Sequence, residues 1–166
     1  MKMNEKKILE TIKGFDKKLP HFPDGRIDYS DSQIAPVVNI VVYWNDTILL
    51  LKRSEKVNSY KGKWNTLGGY LDEIRPVQEK VFEELREELS IAHPDAEISF
   101  GESYEFHDES IGKIWIVCPV LCTFAEKPEI RIDWEHTEYR WIHPEEIERF
   151  DAVPRLKEIF QRLGLV

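Results

Sequence analysis

The run Glu83-Glu84-Leu85-Arg86-Glu87-Glu88-Leu89 constrains this chain more than any other stretch. Four carboxylates fall within six residues on what reads as one helix. Glu84, Glu87 and Glu88 stand at i, i+3 and i+4, so they share a face. Like charges at these spacings oppose one another by roughly 0.2–0.5 kcal/mol per pair on an exposed helix. A divalent cation held by oxygen ligands reverses that sign. Val77, Val81, Leu85 and Leu89 recur at spacing four, with Phe82 beside them, and form a stripe for packing on a sheet. Steps of ~100° per residue put the glutamate face next to this stripe. The three carboxylates are therefore expected at the edge of the core, partly desolvated, with Glu79 and Glu83 turned more to solvent. Pro76 is expected at the first helical position, where its missing N–H is not needed.

Gly68-Gly69 comes just before this helix. Paired glycines suit a backbone that turns sharply or approaches a ligand closely. A loop of this kind offers backbone carbonyls to the same ion. Oxygen-only, partly hydrated sites suit Mg2+ or Mn2+, whose usual task is to bridge phosphate oxygens. The competing reading is a solvated acidic face paired with Lys80 and Arg86, since Lys80 and Glu84 form an i, i+4 pair.

The stretch from Gly69 to Ile91 resembles the Nudix box of the Nudix hydrolases, G-x5-E-x7-R-E-U-x-E-E-x-G-U with U aliphatic. Gly69 matches its first glycine. Glu84 matches the glutamate after the arginine, Leu85 the first aliphatic, Glu87 and Glu88 the acidic pair, and Ile91 the closing aliphatic. Gly62-Lys63-Trp64-Asn65 resembles the approach to the box, and Leu50-Leu51-Lys52-Arg53-Ser54 the strand and arginine before it. Trp134 to Trp141 resembles the acidic segment late in the fold. Three positions depart from the pattern: Arg75 stands for the first glutamate, Glu83 for the arginine and Ser90 for the late glycine. Arg75 and Glu83 are opposite charge changes, and they preserve a pair if the family's acid and base meet. Losing the first glutamate removes one metal contact that Glu73 is placed to replace. Ser90 stands where a helix end often needs positive φ, so a differently shaped end is expected there.

The resemblance implies an α/β fold, an α/β/α sandwich with a mixed β-sheet. It implies Mg2+-dependent hydrolysis (Mn2+ being an alternative) of a nucleoside diphosphate derivative or a nucleoside triphosphate. Glu84, Glu87 and Glu88 would hold the metal, with Gly68 and Gly69 beside substrate. Arg53 would face phosphate, to which a guanidinium can bond in bidentate fashion. Glu135, or its neighbour Glu138, is the candidate proton acceptor outside the box. A nucleotide-binding module without turnover is the second reading. An isomerase of prenyl diphosphates is disfavoured, because Cys118 and Cys122 lie in an apolar run.

A net charge of −8 disfavours a nucleic-acid polymer or an anionic membrane as partner. The polar N-terminus, the lack of a long apolar run and the two cysteines point to a cytoplasmic chain with reduced, buried thiols. A homodimer is compatible with the resemblance. With 166 residues one domain is expected. Residues 1–34 would add a helix over 4–17 and a covering loop over 18–35, and residues 35–166 would form the body. Strands are expected over 37–43 and 48–52, a hairpin turning at 44–46, and over 97–107 and 113–124. Shorter strands are expected at 129–132 and 139–142, and helices at 144–150 and 154–163. Trp64 is expected in the core. Tyr104, Phe106 and His107 are read as core or surface before pocket.

Overall fold

The computed structural model describes residues 3–92 and 94–166. Helix α1 (Met3–Lys18) leads through an irregular segment into β1 (Ile34–Trp44) and β2 (Thr47–Arg53). Asn45 and Asp46 both take positive φ, 49° and 62°, which is the backbone a tight hairpin asks for. Next come β3 (Trp64–Asn65), β4 (Leu67–Tyr70) and α2 (Val77–Leu89). Strands β5 (Ala96–Phe100), β6 (Tyr104–Asp108), β7 (Lys113–Phe124) and β8 (His136–Ile142) follow. A 3-10 turn (Pro144–Arg149) and α3 (Leu156–Arg162) close the chain.

The eight strands make one mixed sheet. β1 and β7 run parallel at its centre, from Ile34↔Ile114 to Tyr43↔Thr123. The other pairings are antiparallel. β1 meets β2 only at its end, and β4 takes over along Val37–Ile40. β2 in turn pairs with β8 on its far edge. Ile8, Leu9 and Ile12 of α1 pack with Val77, Val81, Leu85 and Leu89 of α2 on one face of the sheet. Leu156, Ile159 and Phe160 of α3 cover the other face with Ile147. The layering is therefore α/β/α, with the acidic helix pressed on the sheet by its apolar stripe. Trp64 lies in the second core, and Cys118 and Cys122 are free and buried in the first. Among the described residues no helix is long and apolar enough to cross a membrane.

Three local expectations are corrected. Residues 97–107 form two strands, not one. Pro119 of β7 accepts from Gly101 N–H at 2.9 Å. Its own missing N–H lies on that same side, so the neighbouring strand breaks there. Residues 129–132 form no strand. Ile130 and Ile132 do alternate inward, but the backbone bonds to the end of α2 instead, Arg131 N–H donating to Leu89 O at 3.1 Å. Pro76 caps α2 from an extended conformation (φ −53°, ψ 133°) and is not its first helical residue.

Candidate active site

The stripe of α2 fixes which glutamates go inward. Val77, Val81, Leu85 and Leu89 are fully buried, and Glu84 and Glu88, beside them, are carried in with them. Glu88 is 3 % exposed. Glu87 is the exposed member of the set, while Glu83 is half-buried, the reverse of the expected order. Gly68 and Gly69 lie in strand β4, not in a loop. A Cβ on Gly68 would stand 2.9 Å from the Val38 carbonyl, and one on Gly69 would stand 2.6 Å from Glu84 Oε1. Their use is close approach: the strand lies flat against the Glu84 carboxylate, with no room for a side chain.

Glu135 reaches the same place from the start of β8. Its N–H donates to Asp133 Oδ1 at 3.1 Å, and its carbonyl accepts from Ser54 N–H at 2.8 Å. Burial, the adjacent Glu84 carboxylate and the approach of Glu135 push the Glu88 carboxyl well above the usual glutamate range. Glu88 Oε2 is buried without a hydrogen-bond partner. Arg53 follows a register shift in β2 and gives its Nε–H to Ser59 O at 2.9 Å. Burial lowers its pKa, and Glu135 and Glu88 act against that, which places their charges opposite the guanidinium.

Arg53, Glu84, Glu135 and the two glycines border a cavity of about 490 Å³, a size that suits a small ligand, and Glu88 lies buried behind that wall. The cavity walls carry Arg53, Glu84, Glu87, Glu135 and the two glycines, together with the rings of Tyr104, Phe106 and Trp115. Tyr104 and Phe106 thus belong to the pocket, while exposed His107 pairs with Glu105. Glu138 pairs with Arg140 away from the cavity. Tyr60 bridges the walls: its hydroxyl donates to Asp108 and accepts from Trp115 Nε1 at 3.3 Å. Tyr60, Trp115, Arg26 and Asp72 carried no signal in the sequence, because distant contacts bring them here. Lys80 did carry one, its spacing of four from Glu84.

The donor chemistry fits a hard cation: carboxylate oxygens, one of them orphaned, against a backbone with no side chain in the way. As the side chains stand, no three His, Cys, Asp or Glu groups converge as an ion-holding cluster among the described residues. Lys80 Nζ sits on Glu84 Oε1 at 2.7 Å.

The profile of the NUDIX domain matches residues 33–163. The chain belongs to the NUDIX domain family. Nucleoside triphosphatase NudI of Escherichia coli is 23% identical over 124 residues, covering 71% of this chain and 88% of that protein. The MutT protein from Methanosarcina mazei Go1 superposes with a TM-score of 0.65 at 23% identity, covering 79% of this chain and 93% of that one. The NUDIX domain of Shewanella oneidensis NrtR, complexed with ADP ribose, gives 0.65 at 14% identity, covering 87% and 92%.

Within this NUDIX domain the departures from the box have a geometry. Arg75 Nη2 meets Glu83 Oε2 at 2.5 Å, so the two exchanged charges face each other. Arg75 also stands 3.4 Å from Glu73. Ser90 takes φ 60° and ψ 29°, the left-handed conformation that a glycine would take, and the expected change of shape is not found.

Proposed function

We propose that the chain is a metal-dependent hydrolase of a phosphoanhydride in a nucleoside triphosphate or a nucleoside diphosphate derivative. The observation that carries this reading is the buried, unpartnered Oε2 of Glu88, flanked by Glu84 and Glu135 and facing Arg53. Glu84 and Glu88, with Glu87 at the cavity wall, would hold Mg2+ or Mn2+. Such a cation polarises the phosphoanhydride and lowers the pKa of a bound water. Arg53 offers its guanidinium to phosphate oxygens. Glu135, held at both its N–H and its carbonyl, takes the proton of the attacking water. The rings of Tyr104, Phe106 and Trp115 in the cavity wall offer faces on which the base can stack. The names of the relatives, a nucleoside triphosphatase and a domain bound to ADP ribose, support nucleotides as the ligand class.

The test is a panel of nucleoside triphosphates, nucleotide sugars, ADP-ribose and dinucleoside polyphosphates with Mg2+ or Mn2+, using Glu88→Gln as blank. Metal-dependent hydrolysis of one class, lost by at least a hundredfold in the variant, is the expected result. Turnover retained by Glu88→Gln removes Glu88 from the metal site. A second reading, a nucleotide-binding module without turnover, is favoured by the ammonium that already sits on Glu84. It predicts no hydrolysis but a rise in melting temperature with one nucleotide.

A further inference from the structure

The Lys80–Glu84 contact has the spacing of an ordinary helix-surface pair but not its setting. The two side chains are only 13 % and 10 % exposed. The lysine stem runs under the glycine strand: a Cβ on Gly69 would stand 3.2 Å from Lys80 Cε. The ammonium also reaches Glu83 at 3.3 Å. Glu83 does not depend on it, because Arg75 holds the same oxygen at 2.5 Å.

A second acid lies within the lysine's reach. Asp72 is 6 % exposed, and its Oδ1 is buried with no partner. Its Oδ2 has Arg26 at 3.6 Å. Burial pushes this carboxyl above its ordinary range, with Lys80 acting in the opposite sense. Leu71, Asp72, Val77 and Lys80 share the walls of one small crevice. The lysine is thus bordered by one acid whose oxygen it already holds and by another whose Oδ1 has no partner.

We infer that Lys80 is a built-in competitor for the cation: its ammonium neutralises Glu84 in the metal-free chain and swings to Asp72 Oδ1 when a divalent ion takes Glu84. The inference rests on the reading of Glu84 as a metal-holding residue. The exchange keeps the buried charges paired in both states. Without Lys80, Glu84 would lose the cation bonded to it before the ion arrives, and buried unpaired charge is costly. With it, the ion must displace a bound ammonium, so affinity is lower and release is easier. Asp72, as the alternative acceptor, makes that displacement possible. Lys80 is a positioning residue here and touches no reacting atom.

The experiment is Mn2+ binding to the full chain, followed by the loss of the free-ion paramagnetic signal and by calorimetry, without any substrate. Lys80→Met keeps the stem and removes the charge, and Lys80→Gln serves if the first does not fold. Either variant binds Mn2+ roughly tenfold more tightly than the wild type, within the usual span of a coupling between two sites. Asp72→Asn binds severalfold more weakly, and that loss disappears when it is combined with Lys80→Met. Unchanged or weaker binding in both lysine variants overturns the competition. A loss in Asp72→Asn that persists beside Lys80→Met overturns Asp72 as the acceptor. If Glu84→Gln binds Mn2+ as well as the wild type, or if neither wild type nor lysine variants bind it, the reading of Glu84 itself falls. That outcome differs from the first two, in which Mn2+ binds through Glu84 and only the lysine's part fails.

Discussion

Arg75 and Glu83 occupy two box positions with their charges exchanged, and the contact between them turns an apparent double defect into one compensated change. Burial works against a charge on either group. Yet Glu83 holds the Arg75 pKa up, and Arg75 with Lys80 holds the Glu83 carboxyl below its usual range. Both side chains are about a quarter exposed, which puts the pair between a surface ion pair and a buried one. Arg75→Glu is expected to cost about 1–2 kcal/mol, because it replaces an attraction by a repulsion within contact distance. Adding Glu83→Arg restores more than half of that. Recovery is incomplete because the new arginine stands near Lys80, which now contacts Glu83 at 3.3 Å. Denaturant unfolding of the two single variants and the double variant checks this, and additive losses would show that the pair is coincidental.

The helix that carries these residues ends in a left-handed cap made without glycine. Ser90 N–H bonds to Arg86 O and Ile91 N–H to Leu85 O, so the last carbonyls are satisfied. A side chain at φ 60° is strained, and glycine is not. Ser90→Gly and Ser90→Ala both lose the hydroxyl bond to Arg131 O. Their difference therefore isolates the backbone, and the glycine variant is expected to be more stable by about 1 kcal/mol in thermal or urea unfolding. Equal stabilities would mean that the cap relaxes. The same helix shows what a sequence can carry. Its stripe, the burial of Glu84 and Glu88 and its start were legible to within a residue, because they follow from local spacing, whereas the order of Glu83 and Glu87 was not. The β1–β2 hairpin was legible too, from two strand runs and a polar turn. The break between β5 and β6 was not, since it answers to Pro119 on another strand. The irregular path at 129–132 was not, since alternation shows which side chains go in but not whether a strand is available to pair. Of the candidate site residues named through the box and its flanks, Glu84, Glu87 and Glu135 do meet at the cavity, with Glu88 buried beside them. Asp72, Tyr60 and Trp115 were not legible, because only the assembled sheet brings them to the cavity.

Across the whole molecule, 31 acidic residues face 23 basic ones, and the fold sets several of the acids side by side around one cavity. Such crowding opposes folding in the absence of a cation, and Glu88 concentrates the effect. A buried oxygen left without a partner costs about 1–3 kcal/mol. Its raised pKa means that the native state favours the protonated carboxyl. The stability this group contributes is therefore whole below the ordinary glutamate range and falls away as pH rises toward the raised value. Glu88→Gln keeps the shape and removes the titration. With the metal chelated, the variant is expected to match the wild type near pH 4–5 and to exceed it by an amount that grows toward pH 8. Added Mg2+ then raises the melting temperature of the wild type and not that of the variant, which reverses their order at neutral pH. Thermal unfolding across this range, with chelator and with Mg2+, reads both effects. A variant less stable than the wild type at every pH, with chelator present, would show that the carboxylate is already satisfied in the native fold. The orphaned oxygen would then lose its meaning as the place kept for a cation.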